Sequence, residues 1–247
     1  MRVLVILPTY NERENLPRLL EAILKIRPGL DALVVDDNSP DGTGEQADEI
    51  ASQEARVKVL HRSGKYGLGT AYVAGFEYAI RHAYDYIVEM DADFSHRPED
   101  LPSMLSAAAH ADVVIGSRNI PGARTVGWSW LRIFVSRGGS LYTRILLNLP
   151  IKDCTSGFKC FSRAALAHLD LEHLLSNGYA FQVEVNHACH RAGLNFAEVP
   201  ITFPERVAGR SKMSPAIMLE AALLVIRLRL GLARPAVAPK ALAQKAS

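Results

Sequence analysis

The sequence predicts an α/β fold, a mostly parallel Rossmann-like sheet flanked by helices. Three observations carry that expectation. Short runs of aliphatic and β-branched residues alternate with segments whose apolar residues recur at helical spacing, the βαβ rhythm of parallel sheets with right-handed crossovers. Polar and acidic residues stand directly after the apolar runs, at the strand exits where open α/β sheets collect their ligands. Finally, 247 residues, 49% hydrophobic and 22% charged, suffice for one large domain with its own core. That domain is expected over residues 1–232, followed at 233–247 by a tail rich in Ala, Pro and Lys that has the composition of a disordered segment.

Val3 to Leu7 reads as a buried strand running into the turn Pro8-Thr-Tyr-Asn-Glu12. Leu16, Leu19, Leu20, Ile23 and Leu24 follow at i, i+3, i+4, i+7 and i+8, one face of an amphipathic helix. Ala32 to Val35 is a second strand, ending in Asp36-Asp-Asn-Ser-Pro-Asp-Gly-Thr43, and a helix reaching Glu54 leads to a third, Val57 to Leu60. The loop Gly64-Lys-Tyr-Gly-Leu-Gly69 has neither the Gly-Lys-Ser/Thr of a P-loop nor the dinucleotide pattern, so its glycines read as turn formers first, with a phosphate cradle as the alternative. A helix to His82 precedes the strand Tyr84 to Met90, which ends in Asp91-Ala-Asp93. Two carboxylates so close repel each other unless a cation lies between them. The pair is therefore either a solvated turn or the seat of a hard divalent ion, Mg²⁺ or Mn²⁺, which prefers oxygen ligands and shares them with phosphate. Pro98 suits the first turn of another helix, and Asp112 to Ile115 is a fifth strand ending in Gly116-Ser-Arg118.

The second half changes character. Its basic residues, among them Arg132, Arg137, Arg144, Arg206, Arg210, Lys212, Arg227 and Arg229, favour an anionic partner, a phosphate or a lipid surface. On a helical wheel, Arg132 to Leu149 places Arg132, Ser136, Arg137, Ser140, Thr143, Arg144 and Asn148 on one half. Phe134, Val135, Leu141, Tyr142, Ile145, Leu146 and Leu149 fall on the other. Two readings stand: a surface helix with its apolar side on the core, or an interfacial helix with that side in lipid. Gly157 to Phe161 and Asn195 to Phe203 read as strands, Phe181 to Arg191 and Ser214 to Leu232 as helices. The loop from Glu205 to Lys212 is either a solvated loop or a flexible clamp on a diphosphate, a ligand that Arg and Lys suit.

Cys154, Cys160 and Cys189 are odd in number and lack metal-ligand spacing, so reduced packing thiols in a cytoplasmic protein are expected. The amino-terminal run shows no signal-peptide pattern, and no window of about 20 residues is free of charge, so no membrane-spanning helix is expected. A net charge of +2 gives no reason to expect nucleic acid as a partner.

Taken together, several segments resemble the family 2 glycosyltransferases of the A-type fold, specifically the polyprenyl-phosphate (dolichyl-phosphate) mannose synthases. They are Leu7 to Asn15, Val34 to Thr43, Met90 to His96, Gly116 to Arg118, Ser136 to Gly138, Asp153 to Phe158, Gly178 to Gln182, Glu198 to Ile201 and Arg206 to Lys212. The resemblance covers residues 3 to 232, and the Gln-x-x-Arg-Trp signature of processive synthases is absent. It implies that Pro8, Tyr10, Glu12, Val35 and Asp37 hold the guanosine part of GDP-mannose. Asp91, Ala92 and Asp93 would take the diphosphate and a Mg²⁺ or Mn²⁺ ion, with Arg118, Arg206 and Lys212 clamping phosphates. Arg132 and Ser136 match positions that meet the phosphate of a polyprenyl monophosphate. Some relatives carry a metal-reaching glutamine where this chain has the shorter Ser95, which is therefore left out of the ligand set. An ionised lipid phosphate attacks without a general base, so neither Glu198 nor a histidine is given that part. The resemblance leaves a UDP-glucose donor open. It implies a peripheral enzyme on the cytoplasmic face of a membrane, with a separate membrane-anchoring protein as a further partner. A receiver-type phosphoacceptor domain and a nonenzymatic nucleotide-binding module are the rival readings.

Overall fold

The structure, a computed structural model, describes residues 1–174, 176, 178–205 and 215–233. Arg206, Arg210, Lys212 and the expected tail at 234–247 lie outside the described residues. In chain order the elements are β1 (Val3–Thr9), α1 (Leu16–Leu24), β2 (Leu30–Asp36), α2 (Thr43–Gln53), β3 (Val57–His61), α3 (Leu68–Arg81) and β4 (Tyr86–Glu89). They continue with α4 (Leu101–Ala107), β5 (Val113–Ser117), β6 (Arg124–Val126), α5 (Trp130–Leu147), β7 (Lys159–Ser162) and α6 (Arg163–Ala167). Last come α7 (Gly178–Arg191), β8 (Phe196–Pro200), β9 (Thr202–Pro204) and α8 (Pro215–Arg229).

Seven strands form one sheet in the order β3-β2-β1-β4-β7-β5-β8. Every neighbouring pair is parallel except those made by β7, which runs antiparallel to both β4 and β5. The expected mostly parallel sheet is therefore present. Its strands read as continuous apolar runs because both faces are covered. Alternation along β1 sends Val3, Val5 and Leu7 into one core with Leu16, Leu19, Leu20 and Ile23, and Leu4 and Ile6 into the other with Tyr72, Phe76, Phe161 and Phe181.

The antiparallel β7 matters for function. Lys159, its first residue, pairs with Glu89 of β4 and Ile115 of β5. The segment leading into it thus lies on the edge where β4 and β5 end, between their exits. The single strand expected over Asn195 to Phe203 is divided. β8 stays in the main sheet beside β5, while β9 leaves it to pair with the short β6. Pro200, which has no N–H to donate, marks the break. At three residues, β6 was too short for periodicity to reveal.

Gly75 shows how closely α3 lies on the sheet, since a Cβ there would stand 2.6 Å from Ile6 Cγ2. Gly75→Ala is expected to lower stability by about 1–3 kcal/mol through overpacking, despite alanine's better helix propensity. A urea unfolding midpoint checks it. A pH effect is built into α7. Burial, then the charges of Arg191 and His190, hold the His187 imidazole down at about 4 against an ordinary 6.5. A depressed histidine contributes stability that is present above the unfolded value and lost as pH falls from 6.5 toward 4, on the order of 2–3 kcal/mol. Urea melts of wild type and His187→Asn at pH 7 and pH 4.5 should show a smaller acid loss in the variant.

Candidate active site

The exits of β1, β2 and β3 bring together the residues expected on the nucleoside side. Pro8 near the end of β1, and Tyr10 and Glu12 just after it, are half-buried. Lys65 Nζ stands 3.7 Å from the centre of the Tyr10 ring, a cation–π contact. Glu12 accepts from Asn15 Nδ2 at 2.9 Å, and its own N–H donates to Thr43 Oγ1 at 3.0 Å. The adjacent acids Asp36 and Asp37 divide their work. Asp36 accepts from Thr9 Oγ1 at 3.0 Å and from the Ser39 N–H and hydroxyl at 3.0 and 2.6 Å, shaping the loop. Asp37 faces Arg62 Nη1 at 3.1 Å, and Arg62 Nη2 donates to Thr70 Oγ1 at 2.7 Å. Desolvation raises the Asp37 carboxyl above the usual range, against the pull of Arg62. Val35 is wholly buried in the core, so only its backbone could touch a ligand. Sequence reasoning missed Arg62 and Lys65; their signal was their position directly after β3.

The acidic pair follows β4. Asp91 is half-buried and Asp93 is 7% exposed, while Ala92 packs into the core. Each carboxylate is aimed by a neighbour: Tyr72 OH donates to Asp91 Oδ1 at 3.1 Å, and the Ser95 N–H donates to Asp93 Oδ1 at 3.0 Å. Phe94, directly after Asp93, is in the left-handed region at φ 61, which turns the chain sharply. His96 is 1% exposed and stacks on Phe158, ring centroids 4.9 Å apart. Its Nδ1 accepts the Asp91 N–H at 2.9 Å, so His96 is a pillar of this loop. Ser95 is fully buried. Among the described residues no group of three or more His, Cys, Asp or Glu could hold a metal. Asp91 and Asp93 fit a hard divalent ion that completes its shell with phosphate oxygens and water, the habit of Mg²⁺ and Mn²⁺.

Beneath the pair lies a polar layer that periodicity cannot show. Glu89, Lys159 and Gln182 are all nearly or fully buried, with Lys159 Nζ 3.7 Å from Glu89 Oε2 and donating to Gln182 Oε1. Burial pushes the Glu89 carboxyl up to about 7 in spite of Lys159, and the same burial lowers the Lys159 ammonium.

After β5 comes Arg118. Its Nε and Nη2 bind the Asp153 carboxylate in a fork, both at 2.8 Å, its N–H binds the same carboxylate at 2.8 Å, and Nη2 also reaches Thr155 Oγ1 at 2.9 Å. Glu198 braces the Asp153 loop by accepting the N–H groups of Lys152 and Asp153 at 2.8 and 3.0 Å. It is a positioning residue, which is why a lone acid before Pro200 had no evident work in the sequence. Arg118 was expected in a diphosphate clamp. Its guanidinium is held by Asp153, and it lines a cavity with Arg132, Ser136, Thr155 and Trp128.

That cavity, about 310 Å³, runs between α5 and α8 and is mostly apolar beyond its arginine end, where Phe134, Val135, Tyr142, Val183, Ala222 and Val225 line it. Arg132 and Ser136, one turn apart on α5, both line it. Arg132 lies 3.9 Å over the Trp128 ring, whose Nε1 is buried without a partner. The apolar half of the wheel is divided, with Tyr142, Leu146 and Leu149 packed on the core. Ser140 and Thr143 are buried, whereas Phe134, Leu141 and Ile145 are 71%, 54% and 67% exposed. α8 continues this surface with exposed Leu219, Leu223 and Ile226, and Tyr142 OH ties the helices by donating to Ala222 O at 3.1 Å. Among the described residues no helix is long and apolar enough to cross a membrane.

Comparison with known proteins finds relatives along nearly the whole chain. The undecaprenyl-phosphate mannosyltransferase of Micrococcus luteus is 50% identical over 227 residues, spanning 92% of this chain and 93% of its own length. The polyprenol monophosphomannose synthase of Mycolicibacterium smegmatis is 47% identical over 242 residues, spanning 96% of this chain and 91% of its own. Among solved structures, glucosyl-3-phosphoglycerate synthase from Mycobacterium tuberculosis, in complex with Mn²⁺, UDP and glucosyl-3-phosphoglycerate, gives a TM-score of 0.66 at 20% identity, covering 93% of this chain and 80% of that one. At that identity the likeness is one of fold. The Glycosyl transferase family 2 pattern matches residues 4–170, which contain every strand exit described above. Sheet order, strand-exit site and sequence match converge on one conclusion: the chain is a glycosyltransferase of the A-type fold and belongs to glycosyl transferase family 2.

Proposed function

We propose that the chain transfers mannose from GDP-mannose to a polyprenyl monophosphate with inversion at the sugar carbon. The observation that carries this reading is the cavity between α5 and α8, apolar along its length with Arg132, Ser136 and the Arg118–Thr155 pair at one end. Its shape and chemistry match a lipid phosphate, and the names of both relatives point to the same acceptor class and sugar. Pro8, Tyr10, Glu12, Asp37 and the Val35 backbone take the guanosine, joined by Arg62 and Lys65. Asp91 and Asp93 hold a Mg²⁺ or Mn²⁺ ion, which when bound neutralises charge on the leaving diphosphate. Arg206 and Lys212 bring further positive charge to that diphosphate. Arg132 and Ser136 orient the acceptor phosphate. Its ionised oxygen attacks without a general base, since its second pKa is about 6.

Incubation with radiolabelled GDP-mannose or UDP-glucose, a short polyprenyl phosphate and Mn²⁺ tests the whole reading. Label should pass to the organic phase from GDP-mannose. Label from UDP-glucose alone would overturn the donor, and none from either would overturn the activity. Arg132→Ala should raise the acceptor KM about tenfold or more while leaving the donor KM unchanged, as loss of one charge-assisted contact requires.

The outward faces of α5 and α8 carry Phe134, Leu141, Ile145, Leu223 and Ile226 beside exposed Arg137, Arg144, Arg227 and Arg229. That mixture suits peripheral binding to an anionic bilayer surface. Flotation with anionic liposomes should recover the protein, and the double variant Phe134→Asp and Ile145→Asp should bind at least about tenfold more weakly. Failure of the wild type to float on pure lipid would shift the anchor to a separate membrane protein.

A further inference from the structure

The strand-exit edge holds a small cradle that the residues described so far do not explain. Gly157, in the segment between the β4 and β5 exits, is half-buried. A Cβ there would stand 3.5 Å from Gln182 Nε2, 3.5 Å from His96 Cε1 and 4.0 Å from Asp91 Oδ1. Its backbone is not in the left-handed region, so conformation does not demand glycine here. What glycine does is keep the cradle open. One wall is polar in a fixed sense, because Gln182 Oε1 accepts from Lys159 Nζ and the amide nitrogen must face the other way. Gln182 is 3% exposed, and its Nε2 approaches the Glu89 carboxylate in poor alignment, short of a well-formed hydrogen bond. A buried amide so weakly paired is poorly compensated for its lost water, so a ligand that accepts its proton gains affinity.

We infer that Gln182 and Gly157 form the sub-site for the transferred hexose, in which the Gln182 amide donates to a sugar hydroxyl lying in the Gly157 cradle beside Asp91. A hydroxyl suits the place better than a phosphate oxygen. It both accepts and donates, so one group can take the Gln182 N–H and give its own proton to the Asp91 carboxylate. A phosphate oxygen could accept from the amide but has no proton to give the carboxylate. Lys159 and Glu89 act below as positioning residues, since their pairing holds the amide in the one orientation that offers a donor. This inference rests on the nucleotide-sugar donor proposed above.

Calorimetric titration of the full chain with GDP and with GDP-mannose, each with Mn²⁺, separates the two ideas. Failure of the wild type to bind either probe would overturn the donor reading itself. If wild type binds both, Gln182→Met, which keeps the volume and removes the amide, should weaken GDP-mannose about five- to tenfold and leave GDP unchanged. Gly157→Ala is the second variant. Its new methyl meets protein only at ordinary contact distance, so the melting temperature should hold while GDP-mannose binding falls about tenfold or more and GDP binding does not. Equal losses for both probes, or no loss for either, would overturn the sub-site.

Discussion

Replacing Asp91 by alanine should reduce sugar transfer about a thousandfold and abolish binding of Mn²⁺, measured by initial rates and by titration of the ion. The magnitude is that of removing one preorganised group that stabilises charge developing on a leaving diphosphate. Folding should suffer far less. The Tyr72 hydroxyl loses its acceptor at 3.1 Å, a cost of about 1–2 kcal/mol, while repulsion between Asp91 and Asp93 is relieved. Asp91→Asn separates the two effects, because its amide oxygen still accepts from Tyr72 but carries no charge. It should melt near wild type and be nearly as inactive as the alanine variant. Full transfer by Asp91→Ala with its bound ion lost would sink the role given to the pair.

Asp153→Ala should be the most damaging single substitution for stability, by about 3–5 kcal/mol in urea unfolding, because it strands the Arg118 guanidinium in a buried site. Asp153 is completely buried and accepts three hydrogen bonds at 2.8 Å from Arg118 alone. Replacing both partners, Arg118→Met with Asp153→Leu, should recover most of that loss, since a well-packed apolar pair has no desolvated charge to satisfy. The double variant then tests function apart from folding. It should keep donor binding and lose acceptor binding, because Arg118 lines the lipid-side cavity. The pH dependence has a definite sign. Burial would raise the Asp153 carboxyl, but Arg118 holds it below the ordinary 3.8. A depressed carboxylate contributes stability present above the unfolded value and lost as pH falls through the folded one. The double variant should therefore show a shallower fall in stability below pH 3.8 than wild type.

Much of the framework was legible because its signals are local. Leu16, Leu19, Leu20 and Ile23 were expected on one helix face and are all buried there. Asp91 and Asp93 were expected just past a strand, and β4 ends two residues before Asp91. Arg132 and Ser136, one turn apart, were bound to share a face and do share a cavity. Less legible was anything requiring a distant partner. Lys159 lies in an apolar strand with no local reason to be charged; its reason is Glu89, delivered opposite it by antiparallel pairing. Arg118 follows a strand exit like the other site residues, yet its carboxylate partner is 35 positions away.

By itself, then, the sequence determined most of the strands and helices, which sheet edge gathers the polar groups, and that an acidic pair stands on it. Periodicity and position after a strand follow from backbone geometry within a few residues. Only the tertiary structure decided what each charge and each apolar face is for. An amphipathic wheel says that α5 has two sides; the placement of α8 against it and of Ser140 and Thr143 toward the core decides that Phe134, Leu141 and Ile145 look outward. A cation's work is settled by the anion folded against it, and that pairing depends on contacts among segments far apart in the chain.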